Sequence, residues 1–226
     1  MTAADDRVLA IMMKAPRIGC VKTRLAAAHS PERILSLYHA LIQDTVGLSE
    51  RVRVRTVAIC PEGDEAELAA CLPRGMDVVA QRGAGLAAGL RSTFEQLCTP
   101  AGHRVIAFNA DSPHLPASVI EDAFAALATA DLVVGPCDDG GYYLVGARRS
   151  HDDLFDAAAM GRQSACDALL AAAAREGLHV ALSAEHYDVD FPEDLVRLTA
   201  ELARDPTRAP HTARILAHWT SDRAGR

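Results

Sequence analysis

Short, unbroken apolar runs alternate along the chain with longer stretches whose apolar positions return every three to four residues. The runs Val8 to Met13, Val54 to Cys60, Met76 to Ala80, Val105 to Asn109, Leu132 to Gly135, Tyr142 to Gly146 and His179 to Leu182 read as strands, most of them covered on both faces. Between them the helical period predicts Glu32 to Leu48, Glu65 to Leu72, Leu86 to Cys98, Ala117 to Leu127, Ser164 to Glu176, Glu193 to Arg204 and Thr212 to Trp219. Ser30-Pro31 and Pro192-Glu193-Asp194 mark two helix starts, with acids in the first turn where the helix dipole favours them. Strand-helix alternation predicts an α/β fold whose mostly parallel central sheet is flanked by helices. Nothing repeats and no linker is long enough to divide the chain, so residues 1–226 are expected to form a single domain. Asp205 to Pro210 reads as a joint between two helices, and the residues after Trp219 as a frayed end.

Charge changes the picture at one place. The formal net charge is −7, which argues against general nucleic-acid binding. Against that acidic background a positive cluster follows the first strand, Lys14-Ala-Pro-Arg17-Ile-Gly19-Cys-Val-Lys22-Thr-Arg24. A loop leaving the carboxyl end of a parallel strand lines the ligand crevice of an open α/β sheet, and the next helix adds unpaired N–H groups. Lys14, Arg17, Gly19, Lys22 and Arg24 are therefore candidate contacts for the phosphates of a small anionic ligand. The cysteines at 20, 60, 71, 98, 137 and 166 form no CxxC pair and read as ordinary small apolar residues. With no charged-then-apolar leader and no membrane-length apolar stretch, the expected home is the cytoplasm, without a membrane partner.

Three acidic clusters fall just after predicted strands. Asp111, in Asn109-Ala-Asp111-Ser-Pro113, should project from the strand's end, although an Asp before Ser-Pro is also a good turn former. Asp138 and Asp139 precede Gly140 and Gly141, which would let the backbone approach a ligand; an Asp-Gly turn between strands explains much of this block too. In Tyr187-Asp188-Val-Asp190-Phe-Pro-Glu-Asp194, an extended backbone would point Asp188 and Asp190 the same way, a pattern suited to one hard cation, while Asp194 serves the helix start. Mg²⁺ keeps waters and takes oxygen ligands, so such carboxylates with substrate phosphates would complete its shell. Asp111 and the 188/190 pair are 77 and 79 residues apart and converge only if the fold brings them together.

Other motifs are weaker. Gly83-Ala-Gly85-Leu-Ala-Ala88 matches a relaxed dinucleotide fingerprint but follows the third strand, with no acid about 20 residues on. Lys22-Thr23 lacks the glycine that a Walker loop places before its lysine. Of nine histidines, most lie scattered on helices or turns, and His186, two residues before Asp188, alone merits a test.

Taken together, KAPRIGCVKTRLAAAHSPERILSLYHALIQDT, NADSPHLP, GPCDDGGYYLVG and DVDFPEDL, in that order over about residues 8 to 200, resemble the bacterial DUF2064 proteins, also called radical-SAM/selenodomain-associated transferase 1. The first and last segments are also similar to phospholactate guanylyltransferases. The resemblance implies a Rossmann-like, glycosyltransferase A-type (GT-A) fold of the nucleotide-diphospho-sugar transferase kind. It implies that Lys14, Lys22 and Arg24 face donor phosphates, that Asp111 with Asp188 or Asp190 ligates Mg²⁺ or Mn²⁺, and that Asp138 and Asp139 sit near the acceptor, where either is a candidate base. The chain departs from the family at Leu86-Ala-Ala-Gly89-Leu90, where relatives usually read LGERM, and at Ala159-Met160-Gly161, where they tend to carry Trp-Gly. The expected activity is glycosyl transfer from a nucleotide sugar to a small acceptor. The alternatives are nucleotidyl transfer from a nucleoside triphosphate to a small phosphorylated acceptor, and nucleotide binding without turnover. Oligomeric state is not fixed by sequence, a homodimer being one option.

Overall fold

A computed structural model describes residues 5–98, 102–151, 153–162 and 164–224. The strands are β1 (Arg7–Met12), β2 (Arg55–Cys60), β3 (Asp77–Ala80), β4 (Arg104–Asn109), β5 (Leu132–Pro136), β6 (Tyr142–Ala147) and β7 (Val180–Leu182). The helices are α1 (Pro31–Val52), α2 (Glu65–Ala69), α3 (Gly85–Cys98), α4 (Ala117–Ala126), α5 (Ala165–Arg175), α6 (Pro192–Arg204) and α7 (Pro210–Ala224). All seven strands lie in one sheet, ordered β3-β2-β1-β4-β6-β5-β7. Neighbours pair in parallel except β6, which runs antiparallel to both β4 and β5. The reversal follows from the connection: five residues, Cys137 to Gly141, separate β5 from β6, and a parallel crossover needs a dozen or more. Gly140 takes φ 85 there, and the Cys137 N–H donates to the Gly141 carbonyl at 2.9 Å to close the turn.

The pleat of β1 divides the core. Leu9 and Ile11 pack toward α1, α4, α6 and α7, whereas Val8 and Ala10 face α3 and α5. Gly146 of β6 is required by this packing: a Cβ there would stand 2.7 Å from Val133 Cγ1 and 2.9 Å from Ile106 Cγ1.

Helix ends follow local chemistry. The Ser30 hydroxyl accepts the Arg33 N–H with Pro31 at the first helical position, and Asp44, buried on α1, accepts the His211 and Thr212 N–H groups that open α7. Three helices end three or more residues away from where they are expected to. α1 runs on to Val52, because Ser49 and Val52 stay buried, and stops where Arg53 turns left-handed at φ 56. α2 ends at Ala69, short of Leu72, as the Cys71 and Leu72 N–H groups turn to carbonyls three residues back and Pro73 disfavours a helical conformation at Leu72. α7 extends to Ala224, beyond the expected stop at Trp219, which is itself buried. The joint after α6 contains a 3₁₀ turn, Pro206–Arg208, and Arg208 is pinned there by donating to the His114 carbonyl at 2.8 Å. Among the described residues no helix is long and apolar enough to cross a membrane, and the six cysteines are free.

Candidate functional site

The site forms where chain segments meet beyond the carboxyl ends of β1, β4 and β5. Residues 186–190 run there as a ribbon, bridged to Cys137 at His186 and bent at Val189. His186 N–H donates to the Pro136 carbonyl at 3.1 Å, and its carbonyl accepts the Asp138 N–H at 3.0 Å. On the ribbon's other edge the Val189 N–H donates to the Asp111 carbonyl at 3.0 Å, and the Ser112 hydroxyl donates to the Tyr187 carbonyl at 3.3 Å. Tyr187 and Val189 point into the core, so Asp188 and Asp190 share the opposite side. One carboxylate oxygen from each of Asp111, Asp188 and Asp190 lies within 4.8 Å of the others. Asp194, as its place in the sequence suggests, reaches back from α6 and accepts the N–H groups of Asp190 and Phe191 at 3.0 and 2.6 Å, which fixes the ribbon's end.

The basic loop closes over these acids. Lys22 has a left-handed backbone at φ 47, and just after it a 3₁₀ turn, Thr23–Ala27, carries Arg24 to the same place. The Lys22 Nζ, on a side chain only 5% exposed, stands 2.7 Å from Asp111 Oδ1 and 2.8 Å from Asp190 Oδ1. Arg24 pairs with the other Asp190 oxygen and lies 5.1 Å over the Phe191 ring. Burial alone would favour a neutral Lys22, but the charges of Asp111 and Asp190 outweigh it and hold the ammonium above its ordinary pKa. Burial likewise works against ionised Asp190, yet Lys22 and Arg24 keep its pKa below the ordinary value. Asp188 is in no ion pair among the described residues: burial, then the charges of Asp190 and Asp111, outweigh the pull of Lys22 and push it up to about 7.

The other loop candidates are placed differently. Gly19 takes φ 74 in an exposed stretch of the loop. Lys14 is exposed, with its backbone N–H fixed on the hydroxyl of buried Tyr38 at 2.9 Å. Arg17 turns away from the acids of the site to Asp64 at 2.5 Å and Glu67 at 2.6 Å. Asp64, nearly buried, also accepts the Ala15 N–H at 2.9 Å, so it holds the loop to the end of β2. Sequence reading missed Tyr38 and Asp64; the signal for Asp64 was an acid just after a strand, the same one that singled out Asp111.

Asp138 and Asp139 form the far wall. Asp138 pairs with Arg197 of α6 at 2.7 Å, and the Arg197 guanidinium lies 3.7 Å from the centre of the Tyr187 ring. Asp139 accepts the Gly141 N–H at 2.8 Å and is otherwise exposed; its carboxylate and the Cys137 sulfur form a second close group with Asp188. His186 serves the site through its backbone. Its ring packs edge-on to Tyr143 at 5.4 Å, and burial together with Arg208 and Arg197 lowers its pKa, so it is neutral at pH 7. At the Leu86–Leu90 departure, Gln81 donates to the carbonyls of Gly83 and Gly85 at 3.0 and 3.3 Å, and its Oε1 fills the space a Cβ at Gly89 would need. At the other departure Met160 receives the Tyr142 hydroxyl at 3.5 Å.

The donor set fits a hard divalent cation. Asp111, Asp188 and Asp190 offer only oxygen, and an ammonium already bridges two of them, so the geometry accepts positive charge.

The fold has counterparts among solved structures. A "putative nucleotide-diphospho-sugar transferase" from Desulfovibrio desulfuricans G20 superposes with a TM-score of 0.88 at 26% identity, over 96% of each chain. CMP:2-keto-3-deoxy-manno-octonic acid synthetase complexed with CTP gives 0.56 at 12% identity, over 88% of this chain and 99% of that one. Rv0371C from Mycobacterium tuberculosis H37Rv, in complex with manganese, gives 0.50 at 18% identity, over 86% and 98%. These last two share the fold. No curated protein sequence matches the chain. The model of the family described as "Uncharacterized protein conserved in bacteria (DUF2064)" matches residues 45–162, more than half of the chain, and the protein belongs to that family.

Proposed function

We propose that the protein is a transferase with a nucleotide donor, moving a sugar from a nucleotide-diphospho-sugar to a small acceptor with Mg²⁺ or Mn²⁺ bound. The observation that carries the reading is the meeting of Asp111, Asp188 and Asp190 beneath Lys22 and Arg24, at the end of the sheet where open α/β folds bind ligands. The name of the Desulfovibrio neighbour supports a nucleotide-sugar donor and the manganese of Rv0371C a bound metal, while the CTP of the synthetase supports a nucleotide donor in general.

Asp111, Asp188 and Asp190 would hold the cation, which when bound offsets the charge that grows on a leaving diphosphate. Lys22 and Arg24 exchange a carboxylate partner for donor phosphate oxygens, and exposed Lys14 adds a third positive charge from the loop's start. Tyr38 and Asp64 keep the loop backbone in place, which lowers the cost of ordering it around the donor. Asp139 is the better placed of the two candidate bases for an acceptor hydroxyl, because Asp138 is occupied by Arg197.

The test is a thermal-shift screen of nucleotide sugars, nucleoside diphosphates and triphosphates, each with and without Mg²⁺ or Mn²⁺, followed by product analysis of the donor that stabilises. A metal-dependent shift with one nucleotide sugar, and transfer of its sugar, is the expected result. A shift confined to a triphosphate moves the assignment to nucleotidyl transfer, a reading the dense positive charge of the first loop favours. Binding without product makes the protein a nucleotide binder, and no shift with any donor overturns the proposal.

A further inference from the structure

Cys137 has no part in the transfer proposed above, yet among the described residues it is the cysteine whose sulfur lies in a close group with two carboxylates. Cys60 and Cys98 each reach a backbone carbonyl, at 3.9 and 3.8 Å. Cys137 is 4% exposed and no carbonyl or hydroxyl receives its thiol among the described residues. Its sulfur instead lies within 4.8 Å of carboxylate oxygens from both Asp139 and Asp188, which are themselves that close to each other. The position is rigid. The Cys137 N–H is bonded within the β5–β6 turn, and residues 137 and 186 pair as a bridge that ties the turn to the ribbon bearing Asp188. One oxygen of Asp139 is fixed by the Gly141 N–H at 2.8 Å.

Asp139 and Asp188 repel each other across this gap and a weak thiol donor offsets little of that, whereas a cation between the three would satisfy all at once. The set differs in kind from Asp111/Asp188/Asp190. It contains one soft sulfur and two oxygens, and a fourth position remains for water or a ligand oxygen. Thiolate with carboxylate in a four-coordinate arrangement suits Zn²⁺ and similar ions; Mg²⁺ has little affinity for sulfur.

We propose that Cys137, Asp139 and Asp188 form a second cation site, selective for a thiophilic divalent ion of the zinc class. On binding, the Cys137 S–H bond breaks, a sulfur–metal bond forms and the proton leaves to solvent, with no change of oxidation state. Asp188 belongs to both sites, so the soft ion draws a ligand away from the oxygen site. That consequence rests on the hard-cation reading given above, whereas the sulfur site does not.

Co²⁺ added to the intact, reduced protein is the probe, because thiolate ligation produces an intense near-ultraviolet charge-transfer band that carboxylates do not give. The band is expected in the natural protein and in Cys20→Ser, which removes the exposed thiol, and is expected to be absent in Cys137→Ser. Asp139→Asn changes an exposed side chain and threatens the core little. It should weaken Co²⁺ binding at least as much as loss of an outer-shell partner does, about 10- to 100-fold. Zn²⁺ should bleach the band at one equivalent, while excess Mg²⁺ leaves it. No band, a band that persists in folded Cys137→Ser, or unchanged affinity in Asp139→Asn overturns the proposal. Mn²⁺ binding followed by electron paramagnetic resonance separates the two sites: Asp190→Asn should lose Mn²⁺ and keep the cobalt band. If natural protein free of Co²⁺ and Zn²⁺ fails to bind Mn²⁺, while Co²⁺ added alone gives the band, the oxygen-site reading falls and the sulfur site stands.

Discussion

Replacing Lys22 with Met retains most of the aliphatic stem and removes one charge, and the structure sets the size of the effect. Two carboxylate oxygens face the Lys22 Nζ at 2.7 and 2.8 Å, on side chains 29% and 25% exposed, while the lysine side chain is 5% exposed. The gross attraction is about 6 kcal/mol per pair at an effective dielectric constant of 20. Desolvation cancels much of it, and removing one member of a buried pair generally costs about 3–5 kcal/mol. Because both acids retain some water, the low end applies, about 3 kcal/mol in the absence of metal. Urea unfolding at neutral pH measures this as a lower midpoint with an unchanged slope. Adding saturating Mn²⁺ should restore most of the loss, since the cation takes the place of the ammonium. Mn²⁺ should also bind the variant more tightly than the natural protein, where it must first displace Lys22, while nucleotide affinity falls. A loss below about 1 kcal/mol, the range of an exposed ion pair, or weaker Mn²⁺ binding by the variant, would refute Lys22 as the resident counter-charge of the site.

Asp188, with a pKa raised to about 7, carries a proton in the folded protein that the unfolded chain has already released above about pH 4. Metal-free stability should therefore fall as pH rises from about 4 to 7, by up to about 1.4 kcal/mol per unit, a slope absent in Asp188→Asn; divalent-cation affinity should rise over the same interval. Denaturant titrations of both proteins across that range check the sign, and a flat difference curve contradicts it. Asp64→Asn weakens the tie to Arg17 and Ala15, and donor affinity is expected to drop roughly tenfold, the equivalent of about 1.4 kcal/mol, with Mn²⁺ affinity unchanged. Equal losses of both in calorimetric titrations would show that Asp64 does more than position the loop. Gly146→Ala should destabilise the fold by about 1–3 kcal/mol, read from the unfolding midpoint, because the new Cβ meets Val133 and Ile106 in a closed core.

The strands were the most legible part of the chain, since a run such as Val105 to Asn109 is apolar at nearly every position only if both faces are covered. The reversed direction of β6 was harder to read, because the same apolar pattern serves either direction and only the short Asp-Gly turn distinguishes them. At the site, Asp111, Asp188 and Asp190 stood out as acids directly after apolar runs, but their meeting depends on backbone bonds, Val189 to Asp111 and Asp138 to His186, which leave no mark on residue type. The basic loop could be read as a place for anions, though not as one that first answers the protein's own carboxylates. Arg17 shows the same point, being taken up by Asp64 of the β2–α2 connection and Glu67 of α2. Cys137 could not be separated from Cys60 and Cys98 by spacing, because what distinguishes it is the company of Asp139 and Asp188 across a turn and a ribbon.

The arrangement of charge explains why metal and donor should bind together. Three carboxylates face Lys22 and Arg24, and Asp188 titrates near neutrality, so without ligand the cluster is close to balanced. A divalent cation arriving alone must displace the Lys22 ammonium and leave it buried without a partner, a state that carries a large desolvation penalty. A diphosphate arriving alone meets lysine and arginine already paired, with two carboxylates close behind them. Each ligand removes the obstacle to the other: the cation frees Lys22 and Arg24 for phosphate, and the phosphate gives the displaced ammonium a new partner. The favourable coupling is thus a property of the protein's internal ion pairs and would persist whichever base, sugar or acceptor the donor carries.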